Sequence, residues 1–381
     1  MRYASRRLTI VGVLLLTVML VIAGCGEKEP EIIKIGVVAP QTGAVAAYGE
    51  GARDGALLAF EKINAAGGIN GKKIEPIVED NKGDQAETTN VINKLISKDK
   101  VVAIVGPVIS GTSIVAGPIC NKEKIPMISP SATAVEVTNA GEYVSRVCFL
   151  DSYQGAVMAK FAAENLKAKT AAVLFDVASD YSMGMKDEFI KEFAKYGGET
   201  VQTVSFTGGD TDFSAQLTKI KAAKPEIIYL PAYYNDDALI LRQARGLGIT
   251  ASFLGGDGWD AQELIDSAGK AAEGCYFSTH YSTNDPSEIV QNFLKDYQTK
   301  YKKFPIVFAA LGYDAAGLLA DAIKRADSLD SEKIKDQINK TTDYAGVTGN
   351  ITLDANRNPI KDVAVVTVKN GKFELVTKMR L

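Results

Sequence analysis

The chain has 381 residues, is 46% hydrophobic and 23% charged, and carries a net charge of −3 at pH 7. Its length suits two domains better than one, and the mildly acidic balance lacks the basic footprint of a nucleic-acid binder. A single histidine excludes a His-based zinc site and leaves one possible imidazole base for a nucleophilic triad.

The N-terminus opens with Arg2, Arg6 and Arg7, followed by an uncharged apolar run over 8–23. The run is short for a membrane span and fits the core of a signal peptide. It ends Val21-Ile22-Ala23-Gly24-Cys25, which resembles a bacterial lipobox. Residues 1–24 are therefore expected to be removed and Cys25 to carry lipid, with 25–31 as a polar tether. No later apolar run is long enough to span a bilayer. Lipid on Cys25 takes one of four cysteines. Cys120, Cys148 and Cys275 remain, an odd number that allows at most one disulfide. Buried free thiols are the expectation, with a Cys120–Cys148 bridge as the alternative.

Short β-branched runs then alternate with amphipathic segments. Strands are predicted over 32–39, 74–79, 101–106 and 126–129. A second series covers 170–175, 200–206, 226–230, 252–255 and 274–278. Val101-Val102-Ala103-Ile104-Val105 has no polar face, as in parallel strands buried on both sides. Helices are predicted over 51–66, 86–98, 151–166, 183–196, 213–223, 236–247, 289–301 and 308–326. Asp84, Asp212 and Asp285 supply cap chemistry at helix starts. At the end, 363–368 and 373–376 flank Asn370-Gly371, a hairpin signal. The alternation implies doubly wound α/β architecture, and the break near Asp151 implies two such sheets.

Three near-motifs carry no chemistry. Gly49-x-Gly51-x-x-x-Gly55 has the wrong spacing for a dinucleotide fingerprint and lies beyond the strand tip. The 67–73 segment lacks the Ser/Thr of a P-loop and follows a helix. Asp354-x-Asn356-x-Asn358 has Pro359 and Val365 where a calcium loop needs Gly and Glu. His280 has no Gly-x-Ser-x-Gly elbow with it and reads as a hinge or surface residue. No catalytic set, cofactor or metal is implied.

Polar loops at strand C-terminal ends remain, where α/β sheets bind ligands. The first series offers hydroxyls and helix-opening amides at 106–113 and 129–133, suited to a carboxylate. The second offers Tyr181, Tyr233, Tyr234 and the acid Asp257, suited to an ammonium. A zwitterion between them matches both walls.

The 42–49 loop, Ile63-Asn64-Ala65-Ala66-Gly67-Gly68-Ile69-Asn70-Gly71, Ser129-Pro130-Ser131-Ala132-Thr133, Asp151-Ser152-Tyr153-Gln154-Gly155 and Leu241-Arg242-Gln243-Ala244-Arg245 give the chain a likeness over about 32–373. It resembles the leucine/isoleucine/valine-binding proteins, the substrate-binding components of branched-chain amino-acid ABC transporters. The resemblance implies a type I periplasmic binding protein, or Venus-flytrap, fold. That fold is two Rossmann-like lobes with parallel sheets flanked by helices, joined by a three-strand hinge near Leu150, His280 and Pro359. The first lobe would hold 32–150 and 281–358, the second 151–280 and 359–381.

The resemblance also implies roles. Ser110 falls where the family holds the ligand carboxylate, Ser131 where a backbone group touches ligand, and Thr133 where a hydroxyl does. Tyr48 and Tyr181 match aromatic walls. Tyr233 and Asp257 match second-lobe contacts, with Asp257 pairing the amine where the branched-chain binders usually carry Glu. Val108, Ile109 and Phe308 match the side-chain pocket, and Trp259 is expected beside them. The expected protein is exported, periplasmic or on the cell surface, anchored to the membrane through Cys25, monomeric, and not an enzyme. Its partners would be a branched-chain or other hydrophobic amino acid and the permease subunits, with no nucleic acid. An aromatic or polar amino acid, an amide or an aromatic acid is the alternative ligand. A sensory module and an exported hydrolase are alternative functions.

Overall fold

A computed structural model describes residues 32–381. The expected leader, Cys25 lipidation and tether fall outside the described residues. The first part of the chain runs β1 (Ile32–Ala39), α1 (Ala46–Ala65), β2 (Lys73–Asp80), α2 (Gln85–Lys94), β3 (Ala103–Val105), α3 (Ser110–Lys122), β4 (Met127–Ser129), the single turn α4 (Glu136–Asn139) and β5 (Val144–Arg146). The strands form one sheet in the order β2-β1-β3-β4-β5, with β1, β3, β4 and β5 paired in parallel. Side-chain alternation feeds two cores. Ala103 and Val105 of β3 enter one face, and Ile104 enters the other, as the pleat requires.

The chain continues α5 (Asp151–Glu164), β6 (Thr170–Asp176), α6 (Asp180–Lys195), β7 (Glu199–Phe206), α7 (Ser214–Ala223), β8 (Ile227–Tyr229), α8 (Tyr234–Gly246), β9 (Ser252–Gly255), α9 (Gln262–Ala268) and β10 (Tyr276–Thr279). Three more helices, α10 (Glu288–Tyr301), α11 (Val307–Ala326) and α12 (Ser331–Asn339), return to the core of the first sheet. The short hairpin β11 (Tyr344–Gly346) and β12 (Gly349–Ile351) follows. Finally β13 (Val363–Lys369) and β14 (Lys372–Met379) rejoin the second sheet, whose order is β14-β13-β10-β9-β8-β6-β7. β13 pairs antiparallel with both β10 and β14, so this sheet is mixed. The Asn370-Gly371 turn has φ of 52° and 67°, as a two-residue hairpin needs.

Local chemistry sets several boundaries. Asp84 caps α2, accepting from the Glu87 amide at 2.8 Å. Phe213 and Ser287, not Asp212 and Asp285, occupy the N-cap positions of α7 and α10. Each aspartate instead accepts an amide two residues on, at 2.9 Å. The 354–358 segment is a turn in which Asp354 accepts from the amides of Asn356 and Asn358. Cys120, Cys148 and Cys275 are free and buried. Among the described residues, no helix is long and apolar enough to cross a membrane.

Gly55, dismissed with Gly49 and Gly51 as a nucleotide motif, has a packing role that it shares with Gly312. A Cβ on Gly55 would stand 1.8 Å from the Ala309 carbonyl oxygen, and one on Gly312 would stand 2.1 Å from that of Ala52. These glycines let α1 and α11 approach backbone to backbone. That contact fixes the register in which Tyr48 of α1 stacks on Phe308 of α11, 4.1 Å between ring centres.

Candidate functional site

Both sheets reverse strand order once, between β1 and β3 and between β6 and β8. Loops at such switch points form crevices. The loops that meet here follow β3 and β4 on one side and β6, β8 and β9 on the other.

On the first side, Val108 and Ile109 lead into α3. Ser110 begins that helix, which has no side-chain cap, so its opening amides face the crevice unpartnered by side chains. Ser110 Oγ accepts from the Ala134 amide at 3.2 Å. Ser131 Oγ donates to the Val108 carbonyl at 2.7 Å, and Ser129 Oγ donates to that of Pro107 at 2.7 Å. Beneath them lies Arg146, fully buried in β5. Its guanidinium donates to the carbonyls of Ala132 and Ala134 at 2.6 and 2.8 Å. A buried cation is thus spent on holding the carbonyls of the hydroxyl-rich loop in place.

On the second side, Tyr181 lies in the first turn of α6 and Tyr233 caps α8. Their rings stack with centres 5.1 Å apart. The Tyr181 hydroxyl accepts from the Gly258 amide at 3.0 Å. Burial foremost, then Asp257 beside it, pushes the Tyr181 pKa well up, so it stays a neutral phenol. Tyr48 crosses between the sides. Its hydroxyl donates to the Gly258 carbonyl and accepts from the Tyr234 amide at 3.1 Å.

These residues close on one small cavity lined by Tyr48, Val108, Ile109, Ser110, Ser131, Thr133, Tyr181, Tyr233, Asp257, Gly258 and Phe308. Ten of the eleven expected ligand contacts therefore meet in one place. Trp259 does not. Its indole is fully buried among the hydrophobic residues on one face of the second sheet, and Nε1 donates to the Leu230 carbonyl at 3.0 Å. The turn over Asp257–Trp259 sends consecutive side chains in different directions, so closeness in sequence to Asp257 did not mean closeness to the cavity. A larger open groove runs past Asp260 and Phe304. None of the expected ligand contacts lines it, and the small cavity is the better site.

Asp257 dominates the electrostatics. It is 2% exposed. Gln154 Nε2 donates to Oδ1 at 3.1 Å, and His280 Nε2 lies 3.0 Å from Oδ2. Gln154 is itself fixed, its Oε1 accepting from Ser278 Oγ at 2.8 Å and from the Asp257 amide at 3.2 Å. His280 is buried and stacks on Phe149 at 3.7 Å. Burial lowers its pKa to about 4, against the pull of Asp257, so the imidazole is neutral at pH 7. Among the described residues no lysine or arginine pairs with Asp257. A buried carboxylate held by neutral partners calls for a cation.

His280 is therefore no surface residue. It supports the site, as do Gln154, Asp151 and Arg146, none of which was expected from sequence as a site residue. The signals were present: Asp151 and Gln154 stand in the 151–155 motif, and the lone histidine follows a strand end. Among the described residues no cluster of side chains is arranged to hold a metal ion.

A family model for periplasmic binding proteins matches residues 32–372. A leucine-, isoleucine-, valine-, threonine- and alanine-binding protein of Pseudomonas aeruginosa is 35% identical over 326 residues, 85% of this chain and 86% of that protein. The crystal structure of a leucine-binding protein, LivK, from Thermotoga maritima superposes with a TM-score of 0.87 at 42% identity, covering 91% of this chain and 99% of that one. The branched-chain amino-acid transporter substrate-binding protein LivJ of Streptococcus pneumoniae, in complex with isoleucine, gives 0.86 at 40% identity, covering 91% and 100%. With the family model spanning both sheets and every loop of the cavity, the chain belongs to the periplasmic binding protein family.

Proposed function

We propose that this chain is the exported, lipid-anchored solute-binding subunit of an ABC transporter, capturing a branched-chain or other hydrophobic amino acid. Its lobes are 32–150 with 281–358 and 151–280 with 359–381. It binds as a monomer, transforms nothing, and hands its ligand to permease subunits. One observation carries the reading: Asp257, buried and without a cationic partner among the described residues, lines one small cavity together with Ser110, which opens α3, and with Ser131 and Thr133. Those walls complement a molecule with an ammonium at one end and a carboxylate at the other, while Val108, Ile109, Tyr48 and Phe308 supply an apolar pocket.

The ligand docks on the first lobe through its carboxylate. Closure brings Tyr181, Tyr233 and Asp257 onto the amine and excludes water. The ligand stabilises the closed state only by these added contacts. Micromolar affinity is about −8 kcal/mol. One buried aliphatic side chain supplies roughly 2–3 kcal/mol of it, so charge-assisted bonds at the two ends supply most of the rest.

Calorimetric titration with the twenty amino acids tests this. Leucine, isoleucine or valine is expected to bind, and Asp257→Ala to weaken binding by more than about 2 kcal/mol. Val108→Ala should cost less, on the order of 1 kcal/mol. Equal effects of the two substitutions, or no heat from any amino acid, would defeat the proposal.

A further inference from the structure

The turn that carries Asp257 is followed by Asp260, which is not part of the cavity lining. Asp260 Oδ1 accepts from the Val307 amide at 3.3 Å, and Oδ2 accepts from Thr279 Oγ1 at 2.6 Å. Val307 opens α11, the 20-residue helix that brings Phe308 to the cavity. The N-cap residue of α11 is Ile306, which has no side-chain acceptor to offer. The first amides of a helix need partners, and its positive end favours an anion. Asp260 supplies both from 47 residues away in sequence and, in the lobe division above, from the opposite lobe. Its neighbours make the same crossing. The Gly258 carbonyl accepts from the Tyr48 hydroxyl of α1, and Ala261 is fully buried in the hydrophobic cluster of the first sheet. The Asp260 amide donates to the Asp257 carbonyl at 3.1 Å, which ties the capping residue to the one proposed to receive the amine. Asp260, Thr279 and Val307 also line the larger groove, so parting of the lobes along it would return the Asp260 carboxylate to water.

We propose that Asp260 is an interlobe clasp, a second-lobe carboxylate that caps the first-lobe helix α11 only in the closed form and so strengthens ligand binding without touching the ligand. The inference rests on the two-lobe, amino-acid-binding reading above and goes one step beyond it. Burial foremost pushes the Asp260 carboxyl up to about 6, while the Thr279 hydroxyl and the Val307 amide favour its charged form. At pH 7 it is therefore ionised, and its bond to the helix end is charge-assisted. It acts through α11. Holding the start of that helix holds Phe308 and, through the ring stacked on it, Tyr48, two walls of the ligand cavity. Asp260 is thus a positioning residue, three places along the chain from the carboxylate that meets the amine.

Leucine, titrated calorimetrically into the full protein at pH 7, is the probe. Asp260→Ala removes the acceptor, and Val307→Pro removes the donor from the other lobe. Proline is accepted at the first position of a helix, and the extended backbone of Ile306 suits the residue before it. Each variant is expected to weaken leucine roughly 3–20-fold. The double variant should be no more than about twofold weaker than the weaker single one, because both remove the same bond. Asp260→Asn keeps an oxygen for the amide and should recover most of the loss. A role confined to the second lobe would be indifferent to the change at Val307, so losses that multiply in the double variant overturn the inference. Unchanged affinity in D260A overturns it too, as does D260N binding no better than D260A. Should D260A fail to fold, V307P decides alone, and unchanged affinity there rejects the clasp. Failure of the unaltered protein to bind leucine, isoleucine or valine would instead overturn the amino-acid reading beneath it.

Discussion

His280 Nε2 and Asp257 Oδ2 lie 3.0 Å apart with both side chains withdrawn from water. The imidazole is neutral because burial lowers its pKa from 6.5 to about 4. In that window the folded protein binds fewer protons than the unfolded chain. The contribution is fully present above pH 6.5 and is lost as pH falls through about 4. Asp236 and Asp260, each raised by burial to about 6, act oppositely, losing stability as pH rises through that value. His280→Gln keeps a donor for Asp257 but does not titrate. Urea unfolding of both proteins from pH 4 to 8 should show wild type gaining on the variant by up to about 3 kcal/mol between pH 4 and 6.5, then a plateau. A flat difference would contradict this.

Tyr48 is the latch between the two sides. Its hydroxyl bonds to both Gly258 and Tyr234, while its ring stays with Phe308. Tyr48→Phe removes the hydroxyl and keeps the ring. Calorimetry should give leucine binding weaker by roughly 3–10-fold. Small-angle scattering should report a larger radius of gyration with subsaturating ligand, since closure is what the bonds favour. Unchanged affinity would mean the latch is incidental.

Trp259 lies two residues from Asp257 but points into the core. Trp259→Phe loses the Nε1 bond to Leu230 and part of the packing against Phe277. It should lower unfolding free energy by about 1–3 kcal/mol while leaving affinity within about threefold. Denaturation and calorimetry on the same preparation separate the two effects. A large affinity loss with unchanged stability would place the indole at the ligand after all.

The elements that sequence exposed are those whose signal is local. The apolar run at 101–105 announced a strand buried on both faces, Asp84 a helix start, and Asn370-Gly371 a hairpin. Loop chemistry also sorted into hydroxyls on one side and phenols with an acid on the other. Strand β5 escaped because its centre is short and ends in Arg146, a residue whose charge argues for the surface. Helix α12 and the β11–β12 hairpin were likewise not predicted, and α3 was expected only as a helix opening near Ser110, with no extent given. α3 is rich in small and hydroxyl residues and lacks a clear apolar stripe.

Sequence alone thus determined the alternation of strand and helix, the family likeness and the set of side chains that could hold a zwitterion, because pleat, cap and turn preferences act between near neighbours. Only the tertiary structure decided that Gln154, bonded to Asp151 nearby, also reaches Asp257 across 103 residues, that His280 is an interior partner, and that Trp259 turns away. Those outcomes depend on where distant strands stop and which direction a tight turn aims its side chains, and burial then sets the charge each group carries.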